Sequence, residues 1–198
     1  MSIETDNIRA LMEDCKPKIR DLVGIIAGRC SKIRWKSVSF IIPTKPVPSH
    51  RPRISGFRFY VPGAAKNAAF FEKKVLPTLN GLFITTPCKM KLDIYVETPK
   101  SFTRTQKCLA ELKYLRPWTA TGDVDNFCKA VMDQMQPNAK RGNTGILMDD
   151  RLVIESHENK YYSITPRYEV TLSFMNKIPD ELIKVLRLGF TDVTEETT

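Results

Sequence analysis

Val124-Asp125-Asn126-Phe127-Cys128-Lys129-Ala130-Val131-Met132-Asp133-Gln134-Met135 governs how the rest of the chain is read. Val124, Phe127, Cys128, Val131, Met132 and Met135 recur at spacings of three and four, which is one stripe of an amphipathic helix. Asp123 precedes the stripe at the N-cap position and Pro137 ends it. Cys128 lies on the stripe and is expected in the core. Outward from this helix the period changes to two. Tyr168, Val170, Leu172 and Phe174 alternate with Arg167, Glu169, Thr171 and Ser173, and Met90, Leu92, Ile94 and Val96 alternate with Lys91, Asp93 and Tyr95. Each pattern predicts a strand, the second one half-buried. Val38–Ile42, Phe57–Val61, Leu152–Glu155 and Lys160–Ile164 read as further strands. Helical spacing recurs over residues 7–30, where Pro17 divides it, over 63–79 and over 179–189. Residues 99–121 read as polar loop with a short helix near Leu109.

No βα unit repeats, so the expected fold is α+β: a single domain with a mixed, mostly antiparallel sheet and helices packed on it. The boundaries read as an N-terminal helical extension at 1–36, a central domain at 37–175 and a C-terminal extension and tail at 176–198. No apolar run approaches the roughly 20 residues of a membrane-spanning helix, and the acidic start is not a secretory signal. Five cysteines, with no CxxC pair, argue against a zinc site and suit a reducing cytoplasm.

The net charge is +9, and it is localised. Residues 37–107 hold 12 of the 31 basic residues but three of the 22 acids, so the entire excess falls there and the remainder balances. A confined basic field is the footprint of a polyanion-binding face. Pro43-Thr44-Lys45-Pro46-Val47-Pro48-Ser49-His50-Arg51-Pro52 carries four prolines, which exclude a helix or a central strand and leave an extended loop ending at Arg51 and Arg53. Arg51, Arg53, Arg58, Lys66, Lys73 and Lys74 are the candidate DNA contacts.

Acids cluster elsewhere. Asp123 and Asp125 open the helix, with Lys129 one turn on, and Asp149-Asp150 follows the apolar run Ile146-Leu147-Met148. By itself the first pair reads equally well as a cap plus an ordinary Asp125–Lys129 ion pair. With the second pair, and in an otherwise basic chain, the set suits Mg2+, which takes one or two carboxylates, waters and a phosphate. Such a metal polarises a phosphoryl oxygen and activates water, and Lys129 would offset the charge that develops. His50 and His157 stand alone and read as surface residues. Trp118 reads either as packing or, less favoured, as a base-stacking residue.

Gly-Asp-Val-Asp-Asn-Phe-Cys-Lys-Ala-Val-Met-Asp (122–133) followed by Leu-Met-Asp-Asp-Arg-Leu-Val (147–153) resembles the two-part motif of the RusA-like Holliday junction resolvases. Pro46–Arg53, Tyr60-Val61-Pro62 and the helix after them resemble that family's basic region, and the likeness spans about residues 38–175. It implies a homodimeric, Mg2+-dependent endonuclease making paired nicks in four-way DNA junctions, in recombination and repair, with Mn2+ as a substitute metal. By motif position Asp123, Asp125 and Asp150 match the metal-binding aspartates and Lys129 the catalytic lysine; Asp149 matches a second acid. Gln134 and Met135 depart from the pattern, which ends in a small residue and Leu. The loop 137–145 is longer than usual, and residues 1–36 and those after Asn176 lie outside the family core. The setting expected is cytoplasmic, the host cytoplasm for a phage-encoded chain. Two other readings remain: a metal nuclease for flaps or other branched DNA, and a non-catalytic DNA-binding accessory protein.

Overall fold

A computed structural model of the chain describes residues 3–13, 15–49, 53–55, 58–60, 64–118, 122–139, 142, 145–175, 177–178 and 180–187. The chain divides into two compact units. One comprises residues 1–35 and 175–198 and carries helices α1 (Ile3–Glu13), α2 (Pro17–Cys30) and α6 (Asp180–Arg187). Pro17 stands at the first turn of α2, where its missing N–H costs nothing, so it separates two helices as the sequence predicts. No described helix is long and apolar enough to cross a membrane.

The second unit, residues 36–174, holds the sheet. Its strands are β1 (Trp35–Ile42), β4 (Cys88–Glu97), β5 (Val153–Ser163) and β6 (Arg167–Met175), in the order β1-β6-β4-β5. β4 pairs parallel to β5 and antiparallel to β6, so the sheet is mixed and the fold is α+β, as expected. Hydroxyl pairs Ser37–Ser173 (2.8 Å) and Ser39–Thr171 (2.9 Å) join β1 to β6 in antiparallel sense. A separate hairpin pairs β2 (Arg53–Ser55) with β3 (Arg58–Tyr60). β2 is absent from the sequence reading, because three residues after a proline-rich run carry no measurable period.

Two strand predictions need correcting. Leu152–Glu155 and Lys160–Ile164 are parts of one strand, β5. Its middle is polar because β5 is an edge, and the register Lys89↔Glu155 through Glu97↔Ser163 holds it whatever its hydropathy. β4 is not half-buried but central. Leu92, Ile94 and Val96 enter the core on one face, while Asp93 and Tyr95 are also buried on the other. Asp93 is satisfied there by the Asn159 amide at 3.0 Å and Lys91 at 3.3 Å. Tyr95 stacks on Tyr161 with ring centroids 5.2 Å apart.

Three helices serve the core face. α3 (Ala64–Phe70) runs into a π-turn (Phe71–Val75) and a 3-10 turn (Leu76–Leu79). Pro77 cannot continue an α-helix, and Asn80 at φ 49° closes the turn. α4 (Arg104–Glu111) starts with a capping box: Thr103 accepts from the Gln106 N–H and Gln106 from the Thr103 N–H. α5 (Val124–Met135) is the helix the stripe predicts, burying Phe127, Cys128, Val131 and Met135. Phe71, Val75, Ala110, Phe127, Val131 and Met135 share one cluster with Met90, Leu92 and Ile94 of β4 and with Tyr168, Val170 and Leu172 of β6. Burying a Phe or Leu side chain here stabilises by about 1.5–3 kcal/mol.

Candidate active site

The proline-rich loop is ordered along residues 43–49 by partners on three elements. The buried Asn67 amide donates to the Lys45 carbonyl at 3.2 Å. The Tyr168 hydroxyl accepts from the Val47 N–H at 2.9 Å and donates to the Val47 carbonyl at 3.2 Å. The Ser49 N–H donates to the Asn126 carbonyl at 2.8 Å, tying the loop to α5. Pro48 then lies against Gly122, whose φ is +84° and where an added Cβ would sit 2.9 Å from Pro48 Cγ. Strand β6, the loop and the start of α5 are thus one connected support. Tyr168 is fully buried, and burial pushes its phenol well above the usual range. Replacing it with Phe strands both backbone groups of Val47. Tyr168→Phe is expected to lower stability by about 1–3 kcal/mol in urea unfolding; an unchanged midpoint would mean the loop is held without that hydroxyl.

Asp123 has N-cap backbone geometry, φ −77° and ψ 149°, yet its carboxylate accepts no cap hydrogen bond. Asp125 is exposed in the first turn, and among the described residues no ion pair joins it to Lys129. The structural explanation for these acids, a cap and a salt bridge, therefore finds no contact to rest on. Asp125, Lys129 and Asp133 follow at intervals of four along one face of α5. Asp133 has a raised carboxyl, first through burial, while the charge of Lys129 lowers it and that of Asp150 raises it further. Lys129, Asp133 and Asp150 are therefore electrostatic neighbours. Sequence reasoning missed Asp133, though its place four residues after Lys129 was a usable signal.

Asp149 and Asp150 divide in role. Asp149 caps the 3-10 turn Asp150–Leu152, accepting from the Arg151 N–H and Nε at 2.9 Å each and from Nη2 at 2.7 Å. The Arg151 contacts hold its carboxyl well below the usual range. Asp149 is thus spent on shaping the turn that carries Asp150. The turn is fixed from the other side by the end of α5, since the Met135 carbonyl accepts from both Ile146 (2.8 Å) and Leu147 (3.1 Å).

β5 contributes residues the sequence did not single out. Its register places Glu158 beside Leu92 and Lys160 beside Ile94, on the face that meets α5. Lys160 Nζ donates to the Gly122 carbonyl at 2.8 Å, just before Asp123. The Cys128 thiol donates to Glu158 at 3.4 Å, and burial with that carboxylate pushes it up to about 12. Cys128 is therefore a protonated core residue, as its place on the stripe predicts, and not a nucleophile.

Among the described residues no three acids, histidines or cysteines converge on one point as a ready-made metal cage. The donors are nonetheless hard carboxylate oxygens, and two of them are unengaged. That set fits Mg2+, which needs few protein ligands and keeps waters and substrate oxygens in its shell. Like charges with no cation between them stay apart, and a divalent ion offsets that repulsion.

Of the candidate DNA contacts, Lys73 and Lys74 are exposed on the π-turn. Arg53 lies in β2, Arg58 in β3 and Lys66 in α3, placed by their backbone. Arg51 and His50 lie outside the described residues. His157 is exposed, as expected. Trp118 is 90% exposed, which overturns its reading as a packing residue: its neighbour Pro117 is buried instead.

The family model described as endodeoxyribonuclease RusA matches residues 43–173. The uncharacterized protein YqaN of Bacillus subtilis (strain 168) is 32% identical over 142 residues, covering 68% of this chain and 94% of that protein.

Proposed function

Because the chain belongs to the RusA endodeoxyribonuclease family, we propose that it resolves four-way DNA junctions by Mg2+-dependent paired nicks. The observation that carries this reading is the unengaged carboxylate of Asp123 at the start of α5, next to an equally unpaired Asp125. Asp123, Asp125 and Asp150 are the proposed metal ligands. When bound, the divalent cation polarises the scissile phosphoryl oxygen and lowers the pKa of the attacking water; Mn2+ substitutes for it. Lys129, on the same helix face, offsets the negative charge that builds on the phosphorus-bound oxygens. Asp149 positions Asp150 through Arg151, and Lys160 holds the Gly122 carbonyl so that Asp123 keeps its place at the helix start.

Arg53, Arg58, Lys66, Lys73 and Lys74, with Arg51, supply the phosphate contacts in this proposal, and binding falls as salt rises. Two copies related by a two-fold axis present two such sites to opposing strands, which matches the symmetry of a four-way junction. The domain boundaries proposed are a nuclease domain at 37–175 between extensions at 1–36 and 176–198. The test compares initial cleavage rates on a four-way junction, a flap and a linear duplex at equal concentration with Mg2+. The junction is expected to be cut fastest, with nicks in strands of like polarity. Faster cutting of flaps would replace this reading with a flap nuclease, and binding without cutting would leave a DNA-binding accessory protein.

A further inference from the structure

Trp118 is the most exposed large apolar side chain among the described residues, at 90%, and Tyr114 nearby is 76% exposed. The chain around Trp118 is nevertheless anchored. Pro117 is buried, and the Arg116 guanidinium lies 4.2 Å from the Tyr161 ring centre. Arg116 Nη1 donates to the Lys160 carbonyl at 3.5 Å, while Lys160 Nζ donates to the Gly122 carbonyl at 2.8 Å. One residue of β5 therefore holds the chain on both sides of Trp118. Asp123 lies five positions after Trp118, a span of at most about 18 Å, and the anchors on either side meet at a single residue, the main-chain carbonyl of Lys160 on one side and its side chain on the other. The surroundings are cationic: Lys113 sits 4.6 Å from the Tyr161 ring centre, beside Arg116, and Lys160 completes the group. None of these lies in the basic segment 37–107, so counting charge along the chain assigned them to its neutral remainder.

An exposed indole on an anchored stretch of backbone, beside cations and five positions before the proposed ligand Asp123, has a matching ligand chemistry. Unstacked bases offer flat apolar faces, and the phosphates on either side take the cations. Intact duplex hides those faces; a branch point uncovers them. We propose that Trp118 is a specificity-determining residue that stacks on a base at the DNA branch point, so that the junction and not duplex is held against Asp123. This inference rests on the nuclease reading, from which its test is separable.

Trp118→Ala and Trp118→Phe are compared with wild type for affinity to a four-way junction and to linear duplex at one salt concentration. The side chain is nearly free of protein contacts, so both variants are expected to fold. Trp118→Ala should weaken junction binding about 5- to 100-fold, with duplex binding within about twofold, and Trp118→Phe should recover most of the loss. In a Trp35→Phe background Trp118 is the sole tryptophan, and its emission should be quenched by the junction but not by duplex. An unchanged junction-to-duplex ratio in Trp118→Ala would overturn the proposal, as would emission indifferent to DNA. Emission that follows protein concentration instead would overturn it too, marking a contact between copies. A wild-type protein that discriminates junctions through Trp118 yet never cuts them would refute the nuclease reading alone.

Discussion

Asp123→Asn is expected to reduce junction cleavage by more than about 100-fold while leaving junction binding intact or slightly tighter. Asn keeps the shape of Asp but not its charge. The roughly 10–100-fold cost of disturbing an outer-shell partner of a metal sets the lower bound for losing a ligand. Binding survives because the substitution removes a negative charge facing phosphate. The same result is expected of Asp125→Asn and Asp150→Asn, as ligands. Asp149→Asn should cost less, about tenfold, because it acts by holding the turn through Arg151. Full activity in all three ligand variants, measured by single-turnover cleavage, would remove these residues from the chemistry.

Gly145→Ala carries the largest expected effect on stability. Gly145 has φ +66°, where a side chain costs about 1–2 kcal/mol. An added Cβ would also stand 2.5 Å from the Met135 carbonyl oxygen, 2.6 Å from the Gln136 carbonyl carbon and 2.7 Å from the Pro137 nitrogen. All three are backbone atoms, and the Met135 carbonyl is the acceptor that fixes Ile146 and Leu147. Relief requires pulling the end of α5 away from the run that leads to Asp150. A loss of about 3–5 kcal/mol is expected, read from thermal or urea unfolding. A loss below about 1 kcal/mol would show that this junction of α5 and the Asp149 turn is pliable.

How far the sequence spoke depended on what held each element in place. α5 was legible because one face of it is buried, so its apolar residues follow the helical period. β6 was legible for the same reason with period two. Of β5 only the two ends were legible, because an edge strand is fixed by its hydrogen-bonded neighbour, leaving the exposed residues of its middle free to be polar. The centrality of β4 was hidden likewise: Asp93 and Tyr95 look like solvent-facing residues until Asn159, Tyr161 and Arg167 arrive from other strands. The short helix expected near Leu109 is α4, and the Thr103–Gln106 capping box marks where it starts.

At the site, the acids were legible as types in a pattern and their engagement was not. Motif position separates Asp150 from Asp149, but only the structure shows that Arg151 holds Asp149 and that Asp123 leaves the helix uncapped. Lys160 was invisible for a different reason. It lies 37 positions after Asp123 in the chain, and only the pairing of β5 with β4 brings it to the Gly122 carbonyl.

The most direct measurement is a denaturing-gel assay of an end-labelled four-way junction incubated with the full chain, in Mg2+ and in EDTA. The account predicts a pair of nicks in opposing strands with Mg2+ and intact strands in EDTA. Junction binding in a native gel with no nick at any Mg2+ or Mn2+ concentration would contradict it.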